Sequence, residues 1–378
     1  MKIVIATGIF APDIGGPAVY SQNLSLELKK MGFGVKIITY SDSNVFESQN
    51  SKILVSRVCR KYPKGLRHLL YFWRLLKLAK GTDVIYAQNI ISAGLPAFLV
   101  AKLLRKKFVL RFGGDVLWEK ASEKNETELS LKEYYQSGQF KKKKFLFFLS
   151  RFILKHSDLI IFPTIFLRDL YFNYYSLRQE KAEFIDYPFP EVEVKLAKTI
   201  LEPKQILFAG RLIRFKNLAR LIEAFAKVRA RNVILKIVGA GPQKESLRLK
   251  AKTLKLENRV IFQEPLKHSQ LLKEIQKSYL VVIPSIFEPG SFLALECLKL
   301  KTPVLFTKEA GLYEVFRDKL IFINPFDVED IKNKIEFLLV EKNWHTYLQK
   351  ISQIDTKRSW HDVAEDHIKI FKKLLTRA

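Results

Sequence analysis

The chain has 378 residues, 48% of them apolar, with 65 Lys and Arg against 38 Asp and Glu and a net charge of +27. That length exceeds one ordinary core and predicts two domains, while two cysteines (Cys59 and Cys297) and six scattered His exclude a disulfide scaffold or a sequence-local metal motif and favour a reducing cytoplasm. The charge is clustered, +14 over residues 51–150 and +9 over residues 201–250, which predicts anionic partners: phosphate, acidic lipid or nucleic acid.

Residues 2–7 read as a buried strand, too short for a secretory h-region, so no signal peptide is expected. Residues 11–17 form a Gly/Pro-rich loop. A helix is predicted over 19–31, with Val19, Leu24, Leu28 and Met31 toward the core and Gly32 ending it, followed by a strand over 35–39. This opening is a Rossmann-type unit. Its loop lacks G-x-G-x-x-G, so taken alone it reads as an ordinary βα turn and not as a dinucleotide site. Residues 66–80 predict an aromatic, basic helix with Leu69, Leu70, Trp73 and Leu76 on one face. Strands over 84–87 and 108–112 flank a helix over 96–104. The uncharged run 84–101 holds Gln88, Asn89, Ser92, Gly94 and Pro96, so it reads as strand, turn and helix and not as a membrane span. Gly113-Gly114-Asp115 follows the second of these strands. Residues 119–137 read as a polar, partly helical insert. Residues 140–155, opening Phe140-Lys141-Lys142-Lys143-Lys144-Phe145, leave two readings open: an interfacial helix, or a buried helix with a solvated lysine end. After a strand over 159–162, Tyr187-Pro188-Phe189-Pro190 and residues 191–201 read as a linker.

The second half repeats the alternation. Strands are predicted over 206–209, 234–238, 260–262, 280–283, 304–306 and 320–323, with helices between them and a closing helix over 363–375. The fold class is therefore α/β, two doubly wound sheets facing one cleft. Three strand-end loops of this half are expected to converge. The first carries Gly210, Arg211, Arg214 and Lys216, and the second is Gly239-Ala240-Gly241-Pro242. The third holds Glu288 and the Pro289-Gly290-Ser291 turn into a helix that starts near Phe292 and carries Glu296. Small residues let backbone N–H groups approach an anion, a helix start adds its dipole, and Arg and Lys neutralise phosphate. A carboxylate at Glu296, among Leu293, Ala294, Leu295 and Cys297, is suited to vicinal hydroxyls such as those of a ribose. Singly, each residue reads as surface charge or turn. Together they suit a nucleoside diphosphate conjugate.

These elements resemble the GT-B retaining glycosyltransferases of family 4, the glycosyl transferases group 1. Phe208-Ala209-Gly210-Arg211-Leu212 with Lys216-Asn217 is similar to the family's G-R-L…K-N element, and Val238-Gly239-Ala240-Gly241-Pro242 to its V-G-x-G-P. Pro284-Ser285…Glu288-x7-Glu296 is similar to E-x7-E. Thr302-Pro303-Val304 and Ala310-Gly311-Leu312-Tyr313-Glu314-Val315 are similar to the segments that follow. Asp13-Ile14-Gly15-Gly16 resembles the N-terminal donor loop, and Ser359-Trp360 the family's ending. E-x7-E alone is weak; the ordered set is specific and spans nearly the whole chain.

The resemblance implies an acceptor-binding domain over 1–195, a nucleotide-sugar domain over 196–358, and a terminal helix over 359–378 that packs back on the first domain. It implies a hexosyltransferase in which Arg211 and Lys216 hold the diphosphate and stabilise the leaving group, Glu288 contacts the sugar and Glu296 the ribose. Pro265 and Leu266 would meet the base. Gly15, Gly16, Gly210, Gly239, Gly241, Gly290, Ser291 and Phe292 would line the donor site. No metal and no cofactor is expected. Partners would be a nucleotide-diphosphate sugar and a glycan or lipid-linked acceptor of cell-surface polysaccharide or glycolipid synthesis, at an anionic membrane surface on the cytoplasmic side, with no nucleic acid. Departures from the family pattern are Phe112 for its His, Lys301 and Ala310 for Gly, and Tyr313 for Pro. Gly114-Asp115…Trp118-Glu119 resembles a branch in which Asp115 would touch sugar or acceptor. The alternatives are a GT-B protein that binds nucleotide sugar or membrane without transfer, and a nucleic-acid-binding protein motivated by charge alone.

Overall fold

The computed structural model describes residues 1–13, 15–42, 53–192 and 202–376. The predicted boundary at 195/196 and most of the predicted linker lie outside them. The chain divides into two compact units. One comprises Met1–Trp118, Tyr135–Pro188 and Arg358–Ala378; the other comprises Glu119–Tyr134 and Phe189–Lys357.

The first unit is built on a seven-stranded parallel sheet of β1 (Lys2–Ala6), β2 (Gly34–Ser41), β3 (Leu54–Cys59), β4 (Val84–Ala87), β5 (Lys107–Arg111), β6 (Leu159–Phe162) and β7 (Ala182–Phe184), in the order β3-β2-β1-β4-β5-β6-β7. The second holds a six-stranded parallel sheet of β8 (Lys204–Ala209), β9 (Val233–Val238), β10 (Val260–Gln263), β11 (Leu280–Ile283), β12 (Val304–Thr307) and β13 (Ile321–Ile323), in the order β10-β9-β8-β11-β12-β13. Central strands such as β4 (Val-Ile-Tyr-Ala) and β11 (Leu-Val-Val-Ile) are buried throughout. Helices cover both faces of a parallel sheet, so its strands read as unbroken apolar runs. Each sheet reverses direction once, between β1 and β4 and between β8 and β11. Loops leaving the carboxyl ends of those strand pairs diverge and leave room for a ligand.

Two strands escaped the sequence pattern. β3 interrupts its apolar run with Ser56 and Arg57, and β7 has only three residues. Both are edge strands, which carry the weakest signal. The first helix runs Gly16–Lys30, so it begins inside the Gly/Pro loop with Pro17 in its first turn, where a missing N–H costs nothing. The Lys64–Ala79 helix buries Tyr71, Leu75 and Ala79 and turns Leu69 and Trp73 to solvent. The polar insert forms the helices Val116–Glu123 and Leu131–Gln136, and residues Glu119–Tyr134 belong to the second unit. The last helix, Trp360–Thr376, belongs to the first unit. There Trp360 packs edge-on against Tyr20, ring centroids 5.2 Å apart, and the Tyr86 hydroxyl lies 2.9 Å from His367 Nε2. Burial holds that imidazole neutral, down at about 3.

Candidate active site

The reversal point of the six-stranded sheet collects the charged residues. β8 ends at Ala209, and the loop after it runs through Gly210 and Arg211 into a short 3-10 turn, Arg214–Lys216. β11 ends at Ile283, and its loop runs through Ser285 and Glu288 to the Phe292–Lys299 helix. Lys216 Nζ donates to Glu288 Oε2 at 2.5 Å, and Ser285 Oγ donates to the same oxygen at 2.9 Å. Glu288 and Ser285 are buried and Lys216 is half-buried, so this pair is a partly desolvated charge pair fixed from both loops.

Asn217 locks the two loops together. It sits in the left-handed region (φ 61°) between the 3-10 turn and the Leu218–Ala226 helix. Its amide nitrogen donates to the carbonyls of Pro284 (3.0 Å) and Pro325 (2.6 Å). The three basic residues of the first loop then diverge. Arg214 is drawn to Glu128 at 2.9 Å, Lys216 to Glu288, and Arg211 stays exposed with no ion pair among the described residues. An unclaimed guanidinium and a fixed ammonium on one strand-end loop suit a dianionic group.

Gly239 and Gly241 have a packing reason beyond the one expected from sequence. A Cβ on Gly239 (φ +153°) would stand 1.9 Å from the Gly210 carbonyl oxygen, and one on Gly241 (φ +159°) 2.4 Å from the Leu212 oxygen. The two strand-end loops meet backbone to backbone: the Gly210 N–H donates to Val238 O (3.0 Å) and the Leu212 N–H to Ala240 O (2.9 Å). Glycine is required for that approach whatever binds in front of it.

The Glu288 loop is also tied to the turn after β12. Glu288 N–H donates to Glu309 O (3.0 Å) and Gly311 N–H to Glu288 O (2.8 Å). Ser291 caps the following helix, its hydroxyl accepting from the Ala294 N–H at 3.2 Å, with Gly290 half-buried before it and Phe292 opening the helix. Glu296, one turn further on, is buried, and His268 Nε2 donates to its Oε1 at 2.8 Å. That bond raises the His268 pKa above its ordinary value, against an opposing effect of burial. His268 opens the His268–Lys277 helix, just past the exposed Pro265 and half-buried Leu266 that follow β10. Sequence reading missed His268; its one signal was a lone His two positions beyond the predicted base contact. It also left Ser285 and Asn217 as motif letters without roles.

In the first unit, Gly15 precedes the Gly16–Lys30 helix and its carbonyl accepts from the N–H groups of Ala18 and Val19. Asp13 is engaged by Arg60. Asp115 departs from the expected sugar or acceptor contact. It is fully buried, and its Oδ2 accepts from the hydroxyls of Tyr135 (2.6 Å) and Tyr171 (2.7 Å) while Oδ1 accepts from the Trp118 N–H (2.7 Å). Burial pushes its carboxyl up and those donors pull it back. Its oxygens are spent on the interior and on the start of the Val116–Glu123 helix. Among the described residues no three His, Cys, Asp or Glu side chains cluster as a metal site, and no helix is long and apolar enough to cross a membrane.

Comparison with known proteins gives the family. Residues 194–354 match the glycosyl transferases group 1 model, and residues 14–187 match the glycosyltransferase family 4 model. The chain belongs to the family 4 glycosyltransferases. An uncharacterized glycosyltransferase of Methanocaldococcus jannaschii is 29% identical over 176 residues, an alignment that spans 45% of either chain. The alpha-monoglucosyldiacylglycerol synthase of Streptococcus pneumoniae is 24% identical over 97% of this chain and 86% of its own. Among solved structures, the Anabaena protein HepE in complex with UDP and glucose superposes with a TM-score of 0.76 at 16% identity, over 99% of this transferase and all of that chain. The fold is GT-B, and the protein is a sugar transferase.

Proposed function

We propose that this transferase moves a sugar from a nucleoside-diphosphate donor to a lipid-linked or glycan acceptor of cell-surface polysaccharide or glycolipid synthesis, with retention of anomeric configuration. The observation that carries the reading is the reversal point of the six-stranded sheet. There the exposed Arg211 and the ion-paired Lys216 stand on one strand-end loop, and Glu288 stands on the next.

In this reading Arg211 and Lys216 take the diphosphate, with the amides of the Gly290–Phe292 helix entry behind them. Gly210, Gly239 and Gly241 keep the loop floor low. Glu296 accepts from the ribose hydroxyls, Pro265 and Leu266 meet the base, and Glu288 holds the sugar hydroxyls. The bond from the anomeric carbon to the phosphate oxygen breaks as positive charge on Arg211 and Lys216 stabilises the departing diphosphate. The acceptor oxygen bonds to the same face of that carbon, and its proton passes to the departing phosphate oxygen. Fixed donors and cations aimed at the leaving group supply stabilisation without reorganising at the moment of reaction.

The Streptococcus pneumoniae relative is named for a glycosylated diacylglycerol, which supports a lipid acceptor. The Anabaena neighbour holds UDP and glucose, which supports a uridine donor among the candidates. The test is a panel of nucleotide sugars read first by thermal shift and then by donor hydrolysis. With the sugar that stabilises the protein, Arg211→Ala is expected to lower turnover by roughly 100-fold to 1000-fold. Glu296→Ala is expected to raise donor KM. Wild-type turnover in Arg211→Ala together with wild-type donor KM in Glu296→Ala sinks the site assignment.

A further inference from the structure

Eight of the exposed large apolar side chains of the first unit lie in stripes on three helices. The Lys64–Ala79 helix packs on β1, β2 and β3; the Gly94–Leu103 helix packs beside it on β4 and β5; the Lys144–His156 helix packs beside the second. The Phe98 and Phe152 rings, 5.6 Å apart and edge to face, join the last two.

Each helix turns a stripe away from the sheet. Leu66, Leu69 and Trp73 recur at i, i+3 and i+7 opposite the buried Tyr71, Leu75 and Ala79. Leu99 and Leu103, at i and i+4, lie opposite Ala97, Val100 and Ala101. Phe145, Phe148 and Phe152 repeat the i, i+3, i+7 spacing opposite Ser150, Ile153 and Leu154, and Phe145 is 80% exposed. Soluble surfaces rarely leave this much aligned apolar area in water without a use for it.

The charge carried by the helices themselves has one sign. None of the three helices contains an Asp or Glu, and all carry lysine. Lys141, Lys142 and Lys143 fill the turn that enters the third. Apolar side chains along a helix with lysines beside them match the boundary between acyl chains and anionic headgroups. A second copy of this chain would set lysine against lysine. A polynucleotide would take the lysines and leave the phenylalanines in water.

We propose that these three helices form one face that lies on an anionic lipid bilayer, with Phe145, Phe148 and Trp73 among the acyl chains and the lysines on headgroup phosphates. This deepens the lipid-acceptor reading above and rests on it for its purpose. Vesicle binding needs neither donor nor transfer, so its failure leaves the transferase reading intact and is distinguishable from a failure of that reading.

Trp73 is a selective reporter, because Trp118, Trp344 and Trp360 are buried. The full chain is mixed with vesicles of equal parts phosphatidylglycerol and phosphatidylcholine, and with vesicles of phosphatidylcholine alone. On the anionic vesicles, co-sedimentation and a blue shift of Trp fluorescence are expected, both weakened by salt. Phe145→Ser/Phe148→Ser is expected to lower partitioning roughly tenfold or more with an unchanged melting temperature, and Lys141→Glu/Lys143→Glu to lower it in a salt-dependent way. Phe337→Ser, an exposed apolar residue of the second unit, is the control and should bind as wild type. Equal binding to neutral vesicles, no vesicle binding, lipid-free dimerisation that shifts Trp73, or RNA binding insensitive to the phenylalanine variant each overturns the proposal.

Discussion

The strand ends of the two sheets treat charge in opposite ways. In the second unit Arg211 is exposed, Lys216 and Glu288 pair across two loops, and Glu296 is reached by a largely exposed His268. In the first unit the comparable charges are sealed inside. Asp115 is closed off by two tyrosine hydroxyls and a backbone amide, and Arg111, at the end of β5, is buried with its guanidinium 3.5 Å over the Tyr20 ring. Charges held near water can be exchanged for those of a ligand at little cost. Charges sealed in the interior cost several kcal/mol to uncover, which suits them to holding a scaffold. The second unit therefore has the electrostatic equipment to bind and release a polyanion. The first offers its own basic residues on the outside, beside an apolar face.

The largest effect expected from this contrast lies in the floor of the charged site. Gly239→Ala drives a Cβ into the Gly210 carbonyl oxygen, and backbone on both sides leaves nothing flexible to give way. A loss of about 3 kcal/mol or more is expected by thermal or urea unfolding, with the second unit melting first. A variant that melts like wild type but no longer binds donor would instead make Gly239 a ligand contact alone.

Asp115→Asn comes next and separates scaffold from chemistry. It keeps the shape but swaps a charged acceptor of two tyrosine hydroxyls for a neutral amide, an expected destabilisation of about 1–3 kcal/mol with KM and kcat near wild type below the melting range. A drop in kcat with an unchanged melting temperature would return Asp115 to the substrate.

The smallest effect is a pH dependence at Glu296. The hydrogen bond with Glu296 raises the pKa of His268. A base whose pKa is higher in the folded state stabilises the fold below its unfolded value, and that contribution is lost as pH rises through the raised value. With the His268 side chain 60% exposed, solvent screening keeps this to under about 1 kcal/mol, and the readout is binding rather than melting. Protonated His268 holds the carboxylate proposed for the ribose. Donor KM should therefore fall as pH rises through the raised value, and His268→Ala should flatten that profile. A wild-type profile already flat across pH 5–8, the range in which histidines titrate, would show that the pair does not compete with donor.

Much of the second unit was legible in the residues. Strand β11 announces itself as Leu-Val-Val-Ile, and the Gly210, Gly239 and Glu288 loops follow their strands at once, so local order and apolar runs suffice to place them. Less local facts were not. Gly239 and Gly241 read as room for an anion, and only the backbone of a neighbouring strand-end loop shows what a side chain there would strike. Asp115 read as a substrate contact because nothing near it in sequence reveals that Tyr135 and Tyr171 close over it from 20 and 56 residues away.

By itself the sequence determined two parallel-sheet units, the family, and the strand-end loops that carry Arg211, Lys216, Glu288 and Glu296, since periodicity, turn residues and ordered motifs are properties of neighbours along the chain. Tertiary structure alone decided which charges are paired. Arg214 went to Glu128, Lys216 to Glu288, and Arg211 was left without an ion pair among the described residues, because ion pairing depends on which loops a sheet's strand order brings side by side. It decided the outer face as well. Helical periodicity put Leu69 and Trp73 on one apolar face, and only the packing of Tyr71, Leu75 and Ala79 against the sheet turned that face to the outside.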